Sequence, residues 1–278
     1  MKETNQHITD FLLQSIGVDI SKYDETFLHK SIQKRMAETH SSSAEEYYTY
    51  LEQNSLEGKH FRESLNISYS EFFRNPLTYA TLERIVLPSI ALLKKTTNRK
   101  EIRIWSAACA AGQEPYSLAM LLEELKNGDG EKIKYRIFAS DQNEAQVIEA
   151  QKGQYSAESL NNLSLRRVKQ WFTQQGDLYT IKQELKANID FSVFDLFSEK
   201  LSCPAASIFG DFDLVVCANL LFYYKPEYQQ VILEKTGRCR AKNGYFISGE
   251  TERDILMRHN FQEVFPQSGI FNRRMEHQ

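Results

Sequence analysis

The stretch that most constrains the fold of this chain is residues 101–120, EIRIWSAACAAGQEPYSLAM. Ile102 and Trp105 belong to a β-branched and aromatic pattern typical of a buried strand, and a run of small residues through Gly112 follows. Pro115 suits the first turn of a helix, because its missing N–H costs nothing there, and leucines then recur at helical spacing. The pattern predicts a strand, a tight turn and a helix.

Such a turn lets a ligand approach the backbone at the carboxyl end of a strand. The stretch contains no G-x-G-x-x-G motif, so a dinucleotide site is not indicated. From the pattern alone, a cofactor loop and an ordinary strand–helix connection remain equally good interpretations.

A second strand is predicted at 135–140, with Asp141 at its carboxyl end. A carboxylate at this position suits a ribose diol, because it accepts both hydroxyl hydrogens. It also suits the N-cap of the next helix. Asp141 alone favours the cap, whereas Asp141 together with the preceding loop favours the ribose.

Strand and helix patterns alternate along most of the chain after residue 75, so we predict a doubly wound, mostly parallel α/β sheet. The alternation breaks at about 156–188. There a helix around 163–172 precedes a turn at Gln175-Gly176-Asp177, and the stretches 178–181 and 183–185 predict a small antiparallel insertion. Asn243-Gly244 predicts a turn into the strand 245–248. Further strands are predicted at 189–194 and 211–218, and a closing antiparallel pair at 261–265 and 270–274.

Residues 1–75 carry helical periodicity and no strand pattern. Ile8, Phe11, Leu12 and Ile16 form one apolar face, and Gly17 ends that helix. We therefore expect a helical domain over 1–75 and an α/β domain over 76–278.

Bulk properties exclude several classes of function. A net charge of −3 argues against general nucleic-acid binding, and no apolar run reaches the ~20 residues of a membrane span. The four cysteines lack CxxC spacing, the six histidines show no metal-ligand spacing, and the N-terminus has no hydrophobic signal core. We expect a cytoplasmic monomer without a metal.

SAACAAGQEPYS resembles the cofactor-binding motif of the CheR family, the chemoreceptor glutamate methyltransferases. The resemblance extends over nearly the whole chain. It implies a Rossmann-like methyltransferase sheet with S-adenosylmethionine as cofactor and S-adenosylhomocysteine as product. It also implies that Ala107, Gly112 and Glu114 bind the cofactor.

The stretch SYSEFFRNP resembles the family motif (T/S)-x-FFR. The resemblance implies that Ser70 contacts the cofactor carboxylate, and that Arg74 contacts the cofactor and lies at the methyl-transfer site. Ser68 stands where the family often has Asn, a further cofactor position. Without the family, Arg74 beside two phenylalanines would be interpreted as a stacked surface residue.

Later motifs supply the remaining site residues. The resemblance implies that Asp141 binds the ribose and that Asp195 and Leu196 contact the adenine. CANLLFYY is similar to the family's C-R-N-(V/L)-(L/M)-I-Y-F, which implies that Asn219 binds the cofactor and that Tyr223 is a second catalytic residue. Ala218 replaces the family arginine, which removes a cation from the substrate side.

The implied methyl acceptor is a chemoreceptor or a receptor-like signalling protein, reached at the membrane only through that receptor. In the family, a basic helix of the N-terminal domain faces the receptor, but residues 1–75 here hold 8 Lys plus Arg against 12 Asp plus Glu. We interpret the local cluster Lys30, Lys34 and Arg35 as a solvated helix face rather than a docking surface. Ala218 and the acidic N-terminal region leave two alternatives to a glutamate methyltransferase: a cofactor-binding regulatory module, and an enzyme with a different acceptor.

Overall fold

The structure is a computed structural model. It describes residues 2–17, 19–65, 69–97, 99–125, 133–207 and 210–273, with the backbone alone for residues 2–5 and 16. The chain divides into two compact units, Met1–Ile67 with Phe222–Gln229 and Ser68–Leu221 with Gln230–Gln278. The segment Phe222–Gln229, which the sequence patterns placed in the α/β domain, therefore belongs to the helical unit.

The described part of the first unit forms the expected helices. They are α1 (Lys2–Ile16), α2 (Glu25–Glu38), α3 (Ala44–Gln53) and α4 (Glu57–Ser64). Gly17 ends α1 with a φ of +64°, a left-handed conformation that glycine adopts without strain. Ser43 caps α3 by accepting a hydrogen bond from the Glu46 N–H at 3.1 Å. Ile8 and Leu12 are fully buried, as the apolar face predicts.

A buried ion pair joins α2 to α4 in this unit. Arg35 donates from Nε and Nη2 to the two carboxylate oxygens of Glu57, at 2.8 and 2.6 Å. The Tyr47 hydroxyl donates to Glu57 at 2.8 Å. Only 2% of the Glu57 side chain and 11% of the Arg35 side chain are exposed. The interpretation of the basic cluster as solvated is therefore wrong for Arg35, while 64% of the Lys34 side chain is exposed.

The segment Phe222–Gln229 is attached to the chain just before α2. The rings of Tyr224 and Tyr23 are stacked at 5.0 Å, and the Asp24 N–H donates to the Tyr223 carbonyl at 2.8 Å. These contacts explain why the segment counts with the helical unit.

The second unit contains a seven-stranded sheet. Its strands are β1 (Ile102–Ser106), β2 (Tyr135–Asp141), β6 (Ile189–Val193), β7 (Phe212–Val216), β8 (Arg240–Ile247), β9 (Phe261–Glu263) and β10 (Ile270–Arg273). The strand order is β6-β2-β1-β7-β8-β10-β9. Strand β10 pairs antiparallel with β8 and β9, and the other pairs are parallel. The predicted doubly wound, mostly parallel sheet is confirmed.

Helices and short helical turns connect these strands. They are α5 (Pro76–Thr81), a π-helical turn (Leu82–Val86), α6 (Leu87–Thr96), α7 (Gln113–Glu124), α8 (Glu144–Lys152), α9 (Leu165–Trp171), α10 (Gln183–Lys186), α11 (Pro226–Arg238) and α12 (Arg253–Arg258). All five residues of β7 are buried, as expected for a central strand covered on both faces. None of the described helices combines the length and the hydropathy needed to cross a membrane.

The antiparallel insertion exists, but its strands differ from those predicted. It consists of β3 (Gln154–Ser156), β4 (Phe172–Gln175) and β5 (Leu178–Ile181), in the order β3-β5-β4. The stretch 183–185, predicted as a strand, lies in the helical turn α10. Strand β5 has β3 on one edge and β4 on the other, so residues 183–185 have no place beside it.

Asn243-Gly244, predicted as a turn, lies within β8. The pairing register between β7 and β8 shifts there, with Phe212 opposite Arg240 and Leu214 opposite Tyr245. A Cβ on Gly244 would lie 2.7 Å from the Phe212 carbonyl oxygen. Glycine is needed here because one backbone passes close to another, not because the chain reverses.

Candidate active site

The first loop, residues 107–112, joins β1 to α7 and is fastened to both neighbouring strands. The Ala107 N–H donates to the Val216 carbonyl at 2.8 Å, and the Cys109 N–H donates to the Ser140 carbonyl at 2.9 Å. The sheet order reverses between β1 and β7, which is where open α/β sheets bind their ligands. The predicted strand–turn–helix is confirmed, and the loop lies at the carboxyl edge of the sheet.

Small residues in the first loop have a steric cause. Gly112 has a φ of +92°, and a Cβ there would lie 2.9 Å from the Ala150 Cβ on α8. Ala110 also has a left-handed backbone, with a φ of +44°. Strained backbone of this kind persists only where the surroundings hold it in place, and it is common at ligand sites.

Glu114 lies in the first turn of α7 and is half-buried. It accepts a hydrogen bond from the Ser106 hydroxyl at 2.7 Å. Burial raises the pKa of the Glu114 carboxyl to about 7; the Ser106 bond and the positive charge of Arg74 oppose the rise, and the negative charge of Glu252 adds to it. A carboxylate that is costly to ionise without a cation suits a positively charged ligand group.

Asp141 is buried at the end of β2 and holds the first loop. Its carboxylate accepts hydrogen bonds from the N–H groups of Ala110 and Asn143, each at 2.9 Å. Asn143 is the N-cap of α8, since its side chain accepts from the Ala145 N–H at 3.0 Å. The cap role considered for Asp141 therefore belongs to Asn143. Burial raises the pKa of Asp141 above its ordinary value, although backbone N–H groups oppose the rise.

The FFR segment packs on α7. The Phe73 N–H donates to the Ser117 hydroxyl at 3.1 Å, and Phe73 has a φ of +51°. The Phe72 ring lies edge-on to Tyr155 at 4.9 Å, which ties the segment to the small antiparallel sheet. The sequence patterns did not single out Ser117, although its place in the motif QEPYS could have indicated a role.

Arg74, the last residue of the FFR segment, is half-buried. Its guanidinium lies 5.1 Å from the centre of the Tyr69 ring, and its charge acts on Glu114. It therefore combines the stacked arrangement considered for a surface residue with a position near the predicted cofactor site. Ser70 is half-buried in the same segment, and Ser68 lies outside the described residues.

The Asn219 turn, residues 219–221, follows the carboxyl end of β7. Asn219 has a φ of +61°. The N–H groups of Asn219, Leu220 and Leu221 all donate to the carboxylate of Glu252, at 2.8, 2.6 and 2.6 Å. Glu252 is fully buried, and the sequence patterns did not identify it. Its spacing from Gly249, G-x-x-E directly after a strand, was the available indication.

Asp195 and Leu196 follow β6 at the same edge of the sheet. The Phe194 N–H donates to the Asp141 carbonyl at 2.9 Å, which links this segment to the end of β2. Leu196 is buried, whereas Asp195 is exposed and accepts from the Phe197 N–H at 2.9 Å. The apolar side chain of this pair is thus the one suited to a flat adenine face.

Tyr223 belongs to the helical unit. Its ring lies edge-on to Phe27 at 4.9 Å and next to Phe222 at 4.2 Å. The structure therefore groups the other described site residues in the second unit and assigns Tyr223 to the first.

Comparison with known proteins identifies the family. Residues 68–270 match the CheR methyltransferase SAM-binding domain, and residues 4–65 match the CheR methyltransferase all-alpha domain. The chain belongs to the CheR methyltransferase family. A chemotaxis protein methyltransferase of Listeria monocytogenes is 28% identical over 89% of this chain and 88% of its own length.

Two further relatives match this CheR-type chain over most of its length. The chemotaxis protein methyltransferase of Escherichia coli is 26% identical over 92% of this chain and 86% of its own length. A probable biofilm formation methyltransferase of Pseudomonas aeruginosa is 26% identical over 98% of this chain and 62% of its own length. These relatives are named as methyltransferases, and nothing among them favours a binding module without activity.

The chain is thus an S-adenosylmethionine-dependent methyltransferase of the CheR type, and the predicted cofactor is confirmed. The described residues suit that cofactor chemically. The carboxylates of Asp141 and Glu114 can accept hydrogen bonds from a ribose diol and an ammonium group. The buried Oε1 atom of Gln113, next to Gly112, lacks a hydrogen-bond partner among the described residues and is a further acceptor there.

Proposed function

We propose that this CheR-type enzyme methylates glutamate side chains of a chemoreceptor or a receptor-like signalling protein. The observation that carries the proposal is the charge pattern at the carboxyl edge of the sheet. Glu114 and Asp141 supply acceptors for the cofactor, and Arg74 supplies a cation for an anionic acceptor group.

The reaction needs little acid–base chemistry from the protein. The cofactor supplies a methyl group on a sulfonium. A glutamate carboxyl with an ordinary pKa of about 4.3 is ionised near neutral pH, so one of its oxygens can bond to the methyl carbon directly. The carbon–sulfur bond of the bound cofactor would break with its electron pair kept on sulfur, so the residues of this chain would not have to move a proton. The protein's task is to align the two groups and exclude water.

Each site residue then has a specific part. We assign the ribose diol to Asp141, the cofactor ammonium to Glu114, the cofactor carboxylate to Ser70, and the adenine to Leu196 with Asp195. Ala107, Gly112 and Asn219 border the cofactor with backbone and small side chains, and Ser68 is a further contact.

We assign the acceptor carboxylate to Arg74, held by charge-assisted hydrogen bonds, with the Tyr223 hydroxyl assisting. The negative charge of the acceptor disappears during the reaction, so a stronger clamp would stabilise the ground state more than the transition state. This explains how a site with Ala218 in place of the family arginine can be active.

The test is transfer of a labelled methyl group to membranes that carry candidate receptors. The expected product releases its label as methanol in base, as a methyl ester does. Arg74→Ala should lower turnover about 10- to 100-fold, the effect of losing a hydrogen bond to a charged group. Its affinity for S-adenosylhomocysteine should change less. Arg84→Ala, which removes an exposed arginine from the π-helical turn, is the matched control.

Two results would contradict the proposal. A base-stable product would exclude a methyl ester, and Arg74→Ala with unchanged turnover would remove Arg74 from the site.

A further inference from the structure

Glu252 is a fully buried acid of the α/β unit that the proposed mechanism does not use. It lies in the short helical turn Glu250–Glu252 that follows β8. Its Oε1 atom accepts from the N–H groups of Leu220 and Leu221, both at 2.6 Å. Its Oε2 atom accepts from the N–H groups of Asn219 and Gly249 and from the Ser248 hydroxyl, each at 2.8 Å. One side chain therefore joins the ends of β7 and β8.

The Asn219 turn depends on this carboxylate. Three consecutive N–H groups converge on one anion, and the turn begins with a left-handed residue that is not glycine. Without the carboxylate these donors would lose the acceptor that they share, which is costly for partly or fully buried groups. The turn would then move toward another conformation.

Gly249 restricts the same turn from the opposite side. A Cβ on Gly249 would lie 2.8 Å from the Asn219 Oδ1 atom and 3.0 Å from its backbone nitrogen. Gly249 has an ordinary φ of −68°, so the contact with Asn219, and not backbone strain, is what an alanine there would disturb.

We propose that Glu252 is a positioning residue for cofactor binding: its carboxylate holds the Asn219 turn at the sheet edge in the conformation that the cofactor requires. This rests on the proposed function, because Asn219 is placed at the cofactor there. Glu252 itself acts through the backbone of the Asn219 turn and need not touch the cofactor.

The charge of Glu252 also reaches Glu114. It contributes to the raised pKa of Glu114, after burial. The other titratable or charged groups that act on Glu114, or that its charge reaches, are Arg74, Tyr79, Cys109 and Cys217. Cys217 is affected by both carboxylates. Removing the charge of Glu252 should therefore lower the pKa of Glu114.

Two substitutions distinguish the positioning role of the Glu252 side chain from the effect of its charge. Glu252→Gln keeps the shape but removes the charge, and either orientation of its amide places an NH2 group against at least two N–H donors. Glu252→Asp keeps the charge but shortens the side chain by one methylene. The exposed Glu250→Gln is the matched control for loss of one negative charge.

The experiment is calorimetry of S-adenosylhomocysteine binding to the full chain from pH 5.5 to 8.5. The wild-type affinity should rise with pH and level off near the pKa of Glu114. Glu252→Gln should bind at least ten times more weakly, and its affinity should level off at a lower pH. Glu252→Asp should bind more weakly without that displacement, and Glu250→Gln should behave as wild type.

Each of the remaining outcomes of this experiment leads to a different conclusion. If Glu252→Gln does not fold, Gly249→Ala is used, and its affinity for S-adenosylhomocysteine should fall at least threefold with the pH profile in place. Wild-type affinity and pH profile in Glu252→Gln, or in Gly249→Ala where it takes its place, would overturn the inference, even if thermal stability fell. A wild-type chain that does not bind S-adenosylhomocysteine would instead overturn the proposed function.

Discussion

The two units of this chain each contain a shielded glutamate near an arginine, and the comparison separates an acid that the fold satisfies from one that we propose binds a ligand. In the helical unit, Glu57 receives two hydrogen bonds from Arg35 and one from Tyr47. In the α/β unit, Glu114 receives a hydroxyl bond from Ser106, and burial raises its pKa to about 7 even though that bond and the charge of Arg74 oppose the rise. The first acid is satisfied by the fold itself. We propose that the second is satisfied by a cationic ligand group.

The largest expected effect is on the free energy of unfolding, when the buried pair of Arg35 and Glu57 is broken. Arg35→Ala leaves the carboxylate of Glu57 buried without its cation, so we expect the free energy of unfolding to fall by about 3–5 kcal/mol. Urea denaturation of the full chain measures it. Lys34→Ala, which removes a neighbouring exposed lysine, should cost less than about 0.5 kcal/mol. Equal free energies of unfolding for Arg35→Ala and Lys34→Ala would contradict the distinction drawn between Glu57 and Glu114.

The next effect is on cofactor affinity. Glu114→Gln removes the charge proposed to hold the cofactor ammonium, so the affinity for S-adenosylhomocysteine should fall about 10- to 100-fold. Calorimetry at pH 8 measures it. Ser106→Ala, which removes only the hydroxyl donor to Glu114, should have a much smaller effect. Wild-type affinity in Glu114→Gln would make Glu114 a structural acid like Glu57.

In the unliganded protein, ionisation of Glu114 should lower the free energy of unfolding. A folded-state pKa raised to about 7 means that the folded state binds the proton more tightly than the unfolded state, so stability is lost as pH rises to 7. The free energy of unfolding of Glu114→Gln should therefore equal that of the wild type near pH 4.5 and exceed it increasingly up to pH 7. Above that pH it should stay higher by on the order of 2 kcal/mol. Thermal unfolding across this range measures the difference. A constant difference would contradict the raised pKa.

The smallest effect separates the two polar residues at the end of β2. Asn143→Ala removes the N-cap of α8 and should cost about 1 kcal/mol of stability with unchanged affinity for S-adenosylhomocysteine. Asp141→Asn should instead weaken that affinity. Parallel denaturation and calorimetry of both variants test this, and the reverse result would return the cap role to Asp141.

Local sequence patterns correctly predicted the structural elements that depend on residues close together in the sequence. The strand–turn–helix around Gly112 and the parallel sheet follow from periodicity and small-residue spacing, and both were confirmed. The strand at 183–185 was wrong because its apparent alternation was too short to outweigh the pairing of β4 with β5. The turn at Asn243-Gly244 was wrong because a close approach of β7 demands the same glycine.

Long-range partners could not be predicted from local patterns. Arg35 looked like part of a solvated basic face, yet it is buried against Glu57, 22 positions away. Glu252 was missed because the backbone groups that it binds in the Asn219 turn lie 31 to 33 positions earlier. In both cases the role of the charged side chain is set by the fold rather than by its immediate neighbours.

The most direct test of the account is a crystal structure of the full chain grown with S-adenosylhomocysteine. We predict that the ribose diol bonds to Asp141, that the ammonium bonds to Glu114, and that the sulfur faces the guanidinium of Arg74. A product molecule bound away from the first loop, or one whose ammonium leaves Glu114 without a cation, would contradict the account.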